Sequence, residues 1–303
     1  IKNRGLKGMP PLPLMDRDAI VEVQPDQTTL TERYTDAARS FIRTHRNEPF
    51  FLYFAHMYVH NPLHPPPAFL ERAENGHYGA EVECVDWSTG ALLDTLHALD
   101  LDQKTLVVFT SDNGAWLGND GSTNAPLRGQ KGTTWEGGLR VPCITRWPGR
   151  IPPGRVCGEV TTAMDFLPTF AALAGARLPD GHRIDGHDMR PLLFSETNAV
   201  SPYETFFYYH GNDLCAVRAG RWKLHLDAGE LYDLIHDIGE SKDLARDNPD
   251  IVSRLSALAD ACRDDLGDAR HDRTGANCRP CGRVENATTL VPMGSPWAEA
   301  AYD

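Results

Sequence analysis

Apolar positions recur at helical spacing over residues 28–44, behind the capping candidates Thr28, Thr29 and Thr31, so an amphipathic helix is predicted there. The Pro-rich residues before it, 1–27, read as irregular. After Glu48-Pro49 the apolar run 50–54 reads as a strand, 60–67 as a Pro-broken loop, and 69–99 as helical; 105–110 is the next strand. Strand, helix, strand in that order predicts a parallel βαβ unit. A further short strand is expected over 141–146 and a helix over 162–174, beginning near Asp165. Beyond Leu193 the texture changes to short runs at turn-like spacing, 205–210, 214–219, 222–226 and 231–233, which predict an antiparallel sheet. A helix over 249–266 is expected to pack on it. A boundary near 196–201 divides the chain into domains 1–197 and 198–303. The polar tail from Gly267 onward is expected to follow the surface without a core of its own.

The chemistry lies where one of these strands stops. The run Leu106 to Phe109 ends at Ser111-Asp112-Asn113-Gly114, and open α/β sheets hold their ligands at the carboxyl ends of strands. Asp112 and Asn113 therefore offer side-chain oxygens suited to a hard cation. Beyond a Gly-rich loop, Gly129-Gln130-Lys131-Gly132-Thr133-Thr134 offers an ammonium suited to an anion. Taken singly, Asp-Asn-Gly is a turn signal and Lys131 a solvated surface residue.

Together these two signatures resemble the sulfatase family. The fingerprint is Ser111-Asp112-Asn113-Gly114 followed by Lys131-Gly132-Thr133-Thr134-Trp135-Glu136-Gly137-Gly138-Leu139-Arg140-Val141-Pro142. In family order come also Val59-His60-Asn61-Pro62-Leu63, Asp86 and Gly90, Asp165-Phe166-Leu167-Pro168-Thr169, Asp185-Gly186 with Pro191-Leu192-Leu193, Ala216-Val217-Arg218, Trp222-Lys223-Leu224, and Glu230-Leu231-Tyr232-Asp233-Leu234. The resemblance implies an α/β fold of the alkaline-phosphatase-like kind, a mostly parallel sheet between helices, with a small C-terminal antiparallel sheet plus helix. It implies an arylsulfatase-like sulfuric ester hydrolase acting on a sulfated small molecule or glycan. Asp112 and Asn113 would be metal ligands to Ca²⁺, with Mg²⁺ as the other hard cation. Lys131 would hold the sulfate, and His60 would be general acid or sulfate ligand; Val59 stands where the family usually has Pro or Thr.

The same family carries an Asp-Asp metal pair and a Cys-x-Pro-x-Arg or Ser-x-Pro-x-Arg motif, whose Cys or Ser becomes the formylglycine nucleophile. Both belong upstream of the SDNG strand, and this sequence contains neither. They are expected N-terminal to Ile1, and the chain alone is expected to be inactive. Asp264-Asp265 follows a helical pattern, and Cys278-Arg279-Pro280-Cys281-Gly282-Arg283 places its Arg one residue late, so neither is a counterpart. Two alternatives stand beside the sulfatase reading: a phosphate or phosphonate ester hydrolase of the same superfamily, and a degenerate protein that binds sulfated ligands without cleaving them. The resemblance also implies a secreted, periplasmic or lysosomal protein.

A net charge of −12 argues against non-specific nucleic-acid binding, and no apolar run approaches the roughly 20 residues of a membrane span. Of the seven cysteines, Cys84 and Cys143 read as small core residues. Glu136 and Arg140 are expected to brace their loop, and Lys223 to point outward from a strand. His187, His210 and His225 lie in the C-terminal part with no assigned role. Asn286-Ala287-Thr288 is a glycosylation sequon by pattern.

Overall fold

The computed structural model describes residues 12–286, so Ala287 and Thr288 of the sequon lie outside it. The chain divides into two compact units, Ile1–Asp100 with Pro280–Asp303, and Leu101–Arg279.

The first unit opens with an antiparallel hairpin, β1 (Pro13–Asp16) and β2 (Ala19–Val23), with Pro13 opposite Val23 and Asp16 opposite Ala19. This corrects the irregular reading over 13–23; residues 1–11 lie outside the described residues. Proline is tolerated at the first residue of an edge strand, and Pro13 occupies that place. A short 3₁₀ turn follows, its Thr28 N–H held by the Asp26 carboxylate at 3.0 Å. Helix α1 (Leu30–Thr44) then buries Leu30, Thr31, Thr35, Ala38 and Ile42, the stripe that its periodicity predicts. After the single turn α2 (Pro67–Leu70), α3 (Gly76–Ala98) packs on α1, where Thr35 Oγ1 and Ser88 Oγ share a buried hydrogen bond of 2.6 Å. Tyr58, Phe69, Ala80 and Cys84 form the local core, so Cys84 is buried as expected. Residues 50–54 form no strand, and Tyr53 is 82% exposed. An apolar run becomes a strand only beside a partner ladder, and none of the described sheets includes it.

In the second unit, β3 (Val107–Thr110) leads into a long loop that contains the single turn α4 (Glu136–Leu139). The chain returns as β4 (Cys143–Arg146), antiparallel to β3, with Thr110 opposite Cys143. The expected parallel βαβ unit is therefore absent from the described residues. Gly114 N–H donates to Gly138 O at 3.0 Å across the loop base, which turns the chain back alongside β3. Cys143, expected in the core, is exposed on β4, as is Ile144. Helix α5 (Phe166–Leu173) starts from a capping box in which Asp165 accepts from Thr162 N–H at 2.6 Å. After the turn α6 (Arg190–Leu193) comes the four-stranded antiparallel sheet in the order β5 (Thr205–His210), β6 (Asp213–Ala219), β7 (Trp222–His225), β8 (Glu230–Asp233). Helix α7 (Pro249–Leu266) packs on it, and Leu214, Val217, Leu224, Leu231, Leu255, Ala259 and Cys262 form the core. Sheet and helix match the sequence expectation closely. The tail forms a two-residue ladder between β9 (Gly267–Asp268) and β10 (Arg273–Thr274). Asp268 there is buried and bonded to Arg263 Nε at 2.9 Å.

Candidate active site

Strand β3 delivers its last residue, Thr110, to the loop that begins Ser111-Asp112-Asn113-Gly114. Asp112 Oδ1 accepts from the Asn113 backbone N–H at 2.8 Å and from Asn113 Nδ2 at 3.0 Å. Asn113 Nδ2 also donates to Gly114 O at 3.3 Å. The amide nitrogen of Asn113 is thus turned inward, leaving Asn113 Oδ1 and Asp112 Oδ2 without a bond among the described residues. Two hard oxygens of this kind fit part of a Ca²⁺ or Mg²⁺ shell, which for Ca²⁺ takes roughly six to eight. Among the described residues no three His, Cys, Asp or Glu side chains gather as a metal site.

The lysine loop is bonded directly to this turn. Lys131 N–H donates to Ala115 O at 3.2 Å, Leu117 N–H to Gln130 Oε1 at 2.8 Å, and Asn124 Nδ2 to both Ala115 O and Gly129 O. Gly114 is buried because the loops touch there: a Cβ on it would lie 1.8 Å from Gly137 O. Gly129, at φ +86°, lets the chain turn before Lys131 in a conformation that other residues rarely adopt. The structure therefore brings Asp112, Asn113 and Lys131 into one hydrogen-bonded loop pair. The Lys131 side chain is exposed and pairs with no carboxylate among the described residues.

His60 belongs to the first unit. Its Nδ1 lies 2.7 Å from Asn61 O. A carbonyl only accepts, so Nδ1 carries the proton and Nε2 is the nitrogen free to exchange one. His60 is exposed, whereas its neighbours His56 and His64 are partly buried, and burial pushes both below the ordinary histidine range. The ends of the loop are fixed. Tyr58 OH donates to His64 O at 2.6 Å, and His64 N–H donates to the buried Glu81 Oε1 at 2.5 Å. Burial drives the Glu81 carboxyl up to about 7, against the pull of the His64 amide.

Glu136 and Arg140 do not brace each other. Arg140 lines a cleft of about 340 Å³ with Asn124 and Leu127. The Glu136 carboxylate is buried, and it accepts from Lys223 Nζ at 2.9 Å and from Tyr208 OH at 3.1 Å. Lys223 is fully buried, which overturns its outward placement, and also pairs with Glu240 Oε1 at 2.9 Å. His225 Nε2 reaches the same oxygen at 3.0 Å. Burial opposes charge on Glu240, yet the bond from His225, the Lys223 ammonium and the Glu136 N–H outweigh it and hold its carboxyl below the usual range. Sequence reasoning missed this cluster. Alternation in Trp222-Lys223-Leu224-His225 sets Lys223 and His225 on one face, but nothing local marks that face as covered.

The sulfatase family profile matches residues 9–176, more than half of the chain, and an overlapping profile for the C-terminal part of N-sulphoglucosamine sulphohydrolase matches 130–263. This chain belongs to the sulfatase family. Over 212 residues it is 43% identical to steryl-sulfatase of Mus musculus, covering 68% of this chain and 34% of that protein. It is 40% identical to N-acetylgalactosamine-6-sulfatase of Mus musculus, covering 66% and 39%. Among solved structures, Ps i-CgsB in complex with k-i-k-neocarrahexaose superposes with a TM-score of 0.69 at 29% identity, covering 76% of this chain and 54% of that one. PsFucS1 sulfatase from Pseudoalteromonas sp. superposes at 0.69 with 26% identity, covering 77% and 52%. The fold is thus the α/β, alkaline-phosphatase-like fold of these sulfatases. The chain spans about a third of the length of the curated relatives it matches.

Proposed function

We propose that this chain forms part of a sulfuric ester hydrolase that cleaves sulfate monoesters. The observation that carries the reading is the bonded pair of loops, one offering two hard oxygens from Asp112 and Asn113 and the other carrying Lys131, whose ammonium pairs with no carboxylate among the described residues. In it, Asp112 Oδ2 and Asn113 Oδ1 contribute to a Ca²⁺ site, with Mg²⁺ as the other hard cation. When bound, such a cation polarises sulfate oxygens and offsets the charge that builds on them. The family's formylglycine motif is not among these 303 residues. Lys131 binds and orients the sulfate through its ammonium, favouring the extra negative charge of the transition state. His60, whose Nδ1 is bonded to Asn61 O, presents Nε2 to the leaving group and as the imidazolium would give its Nε2 proton to the departing alkoxide or phenoxide, which helps most with a poor leaving group.

Relatives such as steryl-sulfatase and N-acetylgalactosamine-6-sulfatase support a sulfated small molecule or glycan as substrate, and a secreted, periplasmic or lysosomal setting is proposed with it. Among the described residues no helix is long and apolar enough to cross a membrane. In the complete protein, β3 is proposed to lie in a mostly parallel sheet, as the resemblance implies, and domains 1–197 and 198–303 to be catalytic part and C-terminal subdomain. The test is to express the complete coding sequence and assay it on an aryl sulfate, sulfated monosaccharides and the matching phosphate esters. Sulfate release that is lost in Asp112→Ala is expected; turnover of phosphate esters alone would overturn the reading.

A further inference from the structure

The buried charges behind the lysine loop are an expensive way to hold two segments together. Removing an ion pair from water costs nearly as much as the pair regains, and apolar side chains of the same volume often serve stability as well or better. What a buried, fully bonded charge cluster supplies is direction. Here it is built from separated pieces: Glu136 opens α4, Lys223 and His225 sit on β7, and Glu240 follows β8. Glu240 stands at φ +49°, a conformation that non-glycine residues seldom adopt, and its two oxygens are both used. Oε1 takes Lys223 Nζ and His225 Nε2, and Oε2 takes the Glu136 backbone N–H at 2.7 Å. Above this, the Arg128 guanidinium lies 3.7 Å over the Trp135 ring, which meets the His225 ring tilted by 31° with centroids 3.8 Å apart; Arg128 Nη1 also donates to Glu240 O at 2.8 Å. Both ends of the segment that carries Lys131, residues 128 and 135–136, are thus fastened to the C-terminal sheet and the turn after it. From Glu136 the path to the metal-type loop is short: Gly137 N–H donates to Arg128 O at 2.7 Å, and Gly138 O accepts from Gly114 N–H, next to Asn113.

We propose that Glu136, Lys223, Glu240 and His225 are positioning residues, which set Lys131 at its working distance from Asp112 and Asn113. The inference rests on the reading of those three as site residues. It makes the C-terminal sheet part of the catalytic machinery's frame, because a shift of about 1 Å in a reacting group can cost about 100-fold in rate.

The test uses the complete protein with the cluster neutralised as a unit, Glu136→Gln, Lys223→Met and Glu240→Gln together, so that no single buried charge is stranded. Where this variant does not fold, Glu240→Gln alone is read in the same way. Amide exchange is followed over residues 114–138 and in β6 and α7, and kcat and KM are measured with and without Lys131→Ala. The expected result is a loss of protection of at least about 10-fold confined to 114–138, and a kcat lower by about 100-fold with little change in KM. In the Lys131→Ala background neutralisation should cost no further rate, because it acts through Lys131. Unchanged protection, a loss spread evenly over β6 and α7, or a rate loss that simply adds to that of Lys131→Ala overturns the proposal. If the unaltered protein releases no sulfate, the functional reading fails, and the exchange arm alone then decides whether the cluster positions the loop.

Discussion

Lys131 carries the clearest single-residue prediction. Its ammonium is held out on a loop whose backbone is bonded at both sides, so truncation removes charge without disturbing a packed core. In the complete protein Lys131→Ala is expected to lower kcat by about 100-fold or more while melting within a few degrees of the parent; steady-state kinetics and thermal melting check it. Glu81 makes a different prediction. Its buried carboxyl is raised from 4.5 to about 7, so the folded protein binds that proton more tightly than the unfolded chain does. Its contribution is therefore full below the unfolded value and is lost as pH rises through about 7. The melting temperature is expected to fall between about pH 5 and about pH 8, and Glu81→Gln should flatten that slope. Neither feature of Glu81 is visible in sequence, where it is one more acidic position on a helix. Its burial comes from the loop that crosses it and donates the His64 amide.

Among the elements, the C-terminal sheet and α7 were legible almost to the residue, because period-2 runs and turn residues mark each strand and the helix has its own period. Leu255 is fully buried in that core, so Leu255→Ala should cost about 2–5 kcal/mol, read from the urea midpoint. The loop pair is more sensitive to a small change. Gly114→Ala would place a methyl 1.8 Å from Gly137 O, where backbone must move, and is expected to cost about 3 kcal/mol by the same measurement. An unchanged midpoint would mean that the two loops are not in contact. The run 50–54 shows the limit of reading elements locally: its composition is that of a strand, but a strand also needs a neighbour with free backbone groups. The hairpin of β1 and β2 was missed for the opposite reason, since Pro13 at its start conceals a short ladder that tolerates it.

For the whole molecule, the candidate cation site is the informative part. On the proposed reading Asp112 and Asn113 offer two oxygens, too few for a tight site, so residues 1–303 alone are expected to bind Ca²⁺ weakly, with a Kd of about 1 mM or above by calorimetry. The complete protein should gain thermal stability on adding Ca²⁺ and lose that gain in Asp112→Ala. Tight binding by the 303-residue chain would show that other oxygens on it complete the shell.

The sequence by itself determined the family, the helices α1, α3, α5 and α7, the antiparallel C-terminal sheet, and the motifs carrying Asp112, Asn113, Lys131 and His60. Each of these is written in short-range patterns: apolar periodicity, turn formers, and residues spaced within one loop. Tertiary structure alone decided that β3 pairs antiparallel with β4, that Cys143 is exposed, and that Lys223 is buried between two glutamates. Those outcomes depend on which distant segment covers a face. Glu136 meets Lys223 across 87 positions and Glu240 across 104, separations over which no local pattern specifies a partner.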